Sequence, residues 1–128
     1  VLDTVPSGDT PDASMTKDIN ARLGGGVVIP VMSGGVSMGE IMAEPIKRLL
    51  RHVADEKGIP YQLAILPVAA TDSSAIKTSG EGAPVGTIGI PRRYAHSPVE
   101  LVDLNDVMSA TQLALGLTER LLEGVKLR

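Results

Sequence analysis

An α/β domain is what this sequence predicts, as a three-layer α/β/α arrangement around a largely parallel or mixed sheet. Three observations lead there. Strand-like and helix-like segments alternate along the chain, an order that stacks helices on a sheet. The run Val27–Met32 is apolar throughout, as expected for a strand covered on both faces. The core has to be aliphatic, because Phe and Trp are absent and Tyr occurs twice, yet 43% of the 128 residues are hydrophobic. A chain of that length suits one small domain with its own core.

The elements follow in order. Val1–Val5 is a short apolar stretch that reads as a strand already under way, and with no initiator Met before it the chain is expected to be a piece of something longer. Pro6–Asn20 is rich in Ser, Thr, Asp, Pro and Gly and predicts a loop. Gly24–Gly26 leads into the strand at Val27, and Ser33–Gly39 is a glycine-serine turn. A helix follows, with Pro45 in its first turn, where a missing N–H costs little. Its apolar stripe is Ile46, Leu49, Leu50 and Val53, and Gly58 with Pro60 beyond it is a stop signal. Tyr61–Val68 is the next strand, and Thr71–Ser74 caps a short helical turn through Ile76. Val85–Ile90 is a further strand. The last helix runs from near Asn105 to near Gly124 with a buried face of Val107, Ala110, Ala114, Leu117 and Leu121. Helices are expected on both faces of the sheet, through right-handed crossovers.

Composition excludes several functions. The net charge of −3, with acids and bases interspersed, offers neither a nucleic-acid groove nor a basic membrane face. The absence of Cys rules out disulfides, thiolate metal sites and cysteine nucleophiles. No apolar run is long enough to cross a bilayer, and no signal-peptide pattern opens the chain.

The chemistry then rests on few residues. His96 is either a loop histidine bonded to backbone or a metal ligand or general base just past a parallel strand, where open α/β sheets place their sites. Asp3, in or at the end of the first strand, is either a cap or a ligand facing a cleft. Asp9 and Asp12 sit in a polar loop and read as solvated or making Asx turns. Gly35, Ser37 and Gly39 match the G-x-S-x-G of a nucleophile elbow, and Ser37, Asp72 and His96 follow the order of a serine triad. A serine hydrolase is therefore an alternative, against the simpler reading of a glycine-rich strand-to-helix turn in a sheet too small for that fold. Ser33–Glu40 (SGGVSMGE) also resembles a loop of the molybdopterin-binding family, whose later Pro-Gly-Lys-Pro segment is missing. Gly24–Gly26 is not a phosphate loop, since no Gly-Lys-Ser/Thr follows. His52 reads as a boundary residue. Arg92 and Arg93 read as a carboxylate clamp or as surface ion pairs.

Thr71–Val107 (TDSSAIKTSGEGAPVGTIGIPRRYAHSPVELVDLNDV) closely resembles the C-terminal half of the TET or deblocking aminopeptidases, also labelled endoglucanase or cellulase. Asp3, Gly8–Asp12, Arg22–Ile29 and Glu56–Gln62 fit the same family in the same order, so the likeness spans nearly the whole chain. Its most specific part is the Arg-Tyr-x-His-Ser-Pro-Val-Glu segment, Arg93–Glu100. The resemblance implies a zinc-peptidase-like fold of which residues 1–128 are the C-terminal part of the catalytic domain. It implies a dinuclear centre of zinc or cobalt, with His96 a terminal ligand of one ion and Asp3 of the other. It implies that Asp72 and Arg93 orient a ligand or the substrate. Two features depart from the family. The upstream His, bridging Asp, Glu ligand and general-base Glu have no counterpart here, and Val68-Ala69-Ala70 stand where glycines usually precede the Thr-Asp pair. The chain alone is accordingly expected to be inactive and to bind metal weakly. The parent is expected to trim peptides in the cytoplasm as a large hollow homo-oligomer such as a dodecamer.

Overall fold

The computed structural model describes residues 1–34 and 39–124. In chain order they form β1 (Leu2–Pro6), β2 (Val27–Ser33), β3 (Glu40–Ile41), α1 (Glu44–Lys57), β4 (Tyr61–Leu66), α2 (Asp72–Lys77), β5 (Ile88–Arg93), β6 (Leu101–Val102) and α3 (Leu104–Leu122). The alternating α/β order is as expected, and the sheet is of the mixed kind. β1 runs parallel to β5 and β2 parallel to β4. The two pairs join antiparallel at Val28 and Gly89. The short β3 and β6 add antiparallel to β2 and β5.

Strand alternation sends side chains to two separate cores. Val27 and Ile29 of β2 and Ile88 of β5 face α1 and α3, where Leu50, Val53, Ala110 and Leu113 close over them. Val28, with Val5, Ala64 and Leu66, faces the other way. A second helical layer is expected there. Among the described residues, Ile19 and Ala21 of the 7–23 loop cover that face instead. The physical reason is local: this loop has the turn composition of its sequence and no apolar stripe, yet two of its side chains reach the sheet. Each fully buried aliphatic side chain contributes about 1.5–3 kcal/mol.

The first helix is as predicted. Pro45 lies in its first turn, and Gly58 ends it at φ 63° with its N–H on the Ala54 and Asp55 carbonyls. The face of α3 is as predicted at Ala110, which is buried, and at Ala114 and Leu117, which pack partly buried against the core, but it is rotated toward Asp106 and Gly116. Its buried residues are Asp106, Ser109, Ala110, Leu113 and Gly116, while Leu121 is half exposed. Gly116 explains the rotation. A Cβ there would meet Lys57 Cε at 2.7 Å and Val53 Cγ1 at 2.8 Å, so only glycine lets α1 come this close. Asp103 caps the helix, its carboxylate accepting from Asn105 N at 2.8 Å.

β5 also differs from expectation. It starts three residues later than predicted and runs on through both arginines, because β6 pairs with Arg92 and Arg93. The edge strand β4 is closed off by one side chain. Asn20 Nδ2 donates to the Leu63 carbonyl at 3.0 Å, and Ile65 N donates to Asn20 Oδ1 at 2.9 Å. That removes a free edge on which another strand could add. No helix among the described residues is long and apolar enough to cross a membrane.

Candidate functional site

The β1–β5 pairing brings the first residues of the chain beside residues 88–92. Asp3 stands opposite Gly89 in register, and the chain leaves β5 at Arg93 and reaches His96 three residues later. Asp3 and His96 line one cleft of about 260 Å³, together with Pro6, Val68–Thr71 and Arg92. A larger cavity, about 320 Å³, lies among Val1, Ile46, Leu49, Ile76 and Leu117. Its aliphatic lining supplies no acid, base or ligand side chain, so we place the chemistry in the smaller one.

The loop that carries His96 is strained and tightly tied. Tyr94 and His96 both have φ of 62°, a left-handed conformation that costs a non-glycine residue about 1–2 kcal/mol. Such strain persists where the surroundings over-determine it, and it concentrates at functional sites. Here the ties are explicit. Ser97 N donates to the Tyr94 carbonyl at 3.1 Å, and Ser97 Oγ to the Val99 carbonyl at 2.5 Å. His96 N donates to Glu100 Oε1 at 2.6 Å, and Arg92 Nη1 donates to the same oxygen. The Arg92 guanidinium first, then the His96 N–H, hold the Glu100 carboxyl below its ordinary range. Chain return into β6 closes the loop. His96 itself is exposed, while Asp3 is half-buried with its Oδ1 accepting from Thr4 N at 2.7 Å.

The other expected residues divide. Arg93 is not among the cleft's lining residues; its neighbour Arg92 is. Arg93 Nη2 is bound to Asp9 Oδ2 at 2.6 Å, and Leu23 N donates to the same oxygen at 3.3 Å. Asp9 is therefore a buttress between the 7–23 loop and β5, not the solvated loop residue its composition suggests. Asp72 is exposed at the start of α2, and Thr71 beside it lines the cleft. Ser37 and the centre of the G-x-S-x-G turn lie outside the described residues, as does half of the Ser33–Glu40 loop likened to the molybdopterin-binding family. Glu100 and Asp9 were legible only as acids in loops, because nothing in local sequence says which distant arginine an acid meets.

The Asp9–Arg93 pair carries a pH dependence. The Arg93 hydrogen bond, more than any other influence, lowers the Asp9 carboxyl from its ordinary 3.8. A depressed acid adds stability above its unfolded value and loses it as the pH falls through the folded value. Denaturant unfolding is therefore expected to show stability dropping below pH 3.8. Arg93→Met should remove about 1 kcal/mol at neutral pH and flatten that acid limb. An unchanged acid limb in Arg93→Met would show that the pair does not act this way.

As metal donors, an imidazole and a carboxylate suit zinc or cobalt. Among the described residues, no three His, Asp or Glu side chains gather closely enough to hold a metal ion. Asp3 and His96 thus fit as part of a metal centre and not as a whole one.

Comparisons with known proteins show the family. The family profile of M42 glutamyl aminopeptidase matches residues 1–113. An aminopeptidase structure from the archaeon Desulfurococcus kamchatkensis is 39% identical with a TM-score of 0.81, covering 88% of this chain and 31% of its own. The TET aminopeptidase of a marine sediment archaeon of the Thaumarchaeota is 30% identical, TM-score 0.84, over 94% of this chain and 32% of its own. A structure of PhTET1-12s, described as a dodecamer in the asymmetric unit, is 26% identical, TM-score 0.69, over 91% and 32%. This chain therefore spans about a third of the length of the structures it matches. With nearly all of the chain accounted for in sequence and fold, it belongs to the M42 glutamyl aminopeptidase family.

Proposed function

We propose that this chain is the C-terminal part of the catalytic domain of a dinuclear metal aminopeptidase, which removes N-terminal residues from peptides. The observation that carries the reading is the shared cleft: Asp3 from β1 and His96 from the loop after β5 line the same cavity. Asp3 would hold one ion and His96 the other, and the upstream part of the protein would supply the remaining ligands and the general base. When bound, zinc or cobalt would polarise the scissile carbonyl and lower the pKa of a bound water. The chain's own residues have simpler tasks. Glu100 and Arg92 keep the His96 loop in its strained form, so the imidazole is presented without rearrangement. Val68, Ala69 and Pro6 give the cleft an apolar flank beside the substrate. The parent is proposed to work in the cytoplasm as a homo-oligomer, in keeping with the dodecameric neighbour.

The test uses chromogenic leucyl and glutamyl amides. The full-length protein should hydrolyse them, lose activity to a chelator and regain it with zinc or cobalt. The 128-residue chain with either metal should give no turnover. Robust hydrolysis by the chain alone would remove the assignment of the missing ligands to the upstream part. Labelling of Ser37 by a fluorophosphonate, insensitive to chelator, would establish the serine hydrolase instead.

A further inference from the structure

The Val68–Thr71 wall of the cleft is held from behind by Gly34, just after β2, and by Glu40, the first residue of β3. At one end, Gly34 N donates to the carbonyls of Leu66 at 3.0 Å and Ala69 at 2.7 Å. At the other end stands Thr71, at the position before α2 where a threonine hydroxyl ordinarily caps a free backbone N–H. It makes no such bond. Its Oγ1 turns inward instead, 2.6 Å from Ser73 Oγ and 3.4 Å from Thr87 Oγ1. Ser73 Oγ in turn donates to Glu40 Oε2. All four residues are buried, Glu40 to 5% exposure and Ser73 to 0%.

The direction of the chain follows from counting protons. A serine hydroxyl has one proton, and that of Ser73 goes to the carboxylate. The Thr71 hydroxyl must therefore donate to Ser73, and the Thr87 hydroxyl to Thr71. Thr87, Thr71, Ser73 and Glu40 form one oriented series whose direction is set by the acceptor at its end. Such series are mutually polarised and rigid when every member is satisfied. Without the carboxylate the hydroxyls lose their common orientation, and Thr71 is free to turn back to its own helix.

We propose that Glu40 is a positioning residue for the cleft: through Ser73 and Thr71 it fixes the Ala69–Thr71 wall, against which the N-terminal side chain of a bound peptide rests. The proposal rests on the peptidase reading above. Ala69 and Ala70 are small and apolar, so the wall favours an apolar N-terminal residue over glycine.

The experiment compares leucyl and glycyl amides as substrates of the full-length protein and its variants. Glu40→Gln keeps an oxygen that accepts from Ser73, and its KM should stay within about threefold of wild type. Glu40→Leu and Ser73→Ala should each raise KM for the leucyl amide about tenfold with kcat less affected, narrowing the leucyl-over-glycyl preference. Should Glu40→Leu not fold, Ser73→Ala carries the same comparison. The inference is overturned if both variants keep the wild-type KM and preference, or if they lose kcat equally on both substrates. A wild-type protein that hydrolyses neither amide overturns the peptidase reading, and this inference with it.

Discussion

In the full-length protein, replacing His96 with Ala is expected to lower kcat/KM on a leucyl or glutamyl amide about a thousandfold, some 4 kcal/mol of transition-state stabilisation. Asp3→Ala should do the same. The size follows from the proposed role, in which each substitution would remove a ligand from one of the two metal ions. Folding has to be separated from chemistry, because His96 sits at a φ of 62° on a tied loop. Asn is the control for that. Its short amide tolerates the left-handed region, so His96→Asn keeps the backbone while changing the donor. The expected outcome is wild-type thermal stability, reduced bound zinc and activity as low as in His96→Ala. Asp12→Ala, an exposed acid of the 7–23 loop, should leave the rate unchanged. Activity of His96→Ala and His96→Asn within tenfold of wild type would end the metal-ligand reading.

Much of this architecture was readable from pattern, and the parts that were not share a cause. The α1 stripe of Ile46, Leu49, Leu50 and Val53 is a property of one helix, so periodicity alone found it. The face of α3 depends on a partner. Periodicity picked Val107 and Leu121, whereas packing buries Asp106 and Gly116, one for its hydrogen bonds and one for its lack of a side chain. The end of β5 at Arg93 follows from pairing with Leu101 and Val102, which no local propensity reports. The site divides in the same way. From the residues alone, Asp3 and His96 each had an ordinary structural explanation. The family resemblance singled them out, and the parallel β1–β5 register sets them on one cleft. Arg93, expected to orient a ligand or the substrate, is paired with Asp9, an ion pair between β5 and the 7–23 loop that local sequence cannot specify.

Asp106 is the residue whose loss should cost the fold most, and sequence gave no reason to notice it beyond its place at the start of a helix. It is 1% exposed, and its two carboxylate oxygens accept from Gly24 N and Gly26 N, each at 2.8 Å. One acid thereby pins the glycine turn before β2 to the first turn of α3. Burial pushes its carboxyl above the ordinary 3.8, and the two glycine N–H groups only partly oppose that. A raised acid binds its proton more readily when folded, so this group's contribution to stability falls as the pH rises from 3.8 through the folded value. Asp106→Ala leaves the buried Gly26 N–H and the part-buried Gly24 N–H unpaired; at about 1–3 kcal/mol for the buried donor and about 1 kcal/mol for the other, a total loss of about 2–4 kcal/mol is expected at neutral pH. Asp106→Asn restores one acceptor but turns an amide N–H₂ toward the other glycine N–H, and should lose about half as much. Both variants should also lose the part of the pH dependence that lies just above pH 3.8. Urea unfolding across that range decides the matter. If Asp106→Ala costs no more than the cap variant Asp103→Ala, about 1 kcal/mol, the two glycine contacts do not hold the turn.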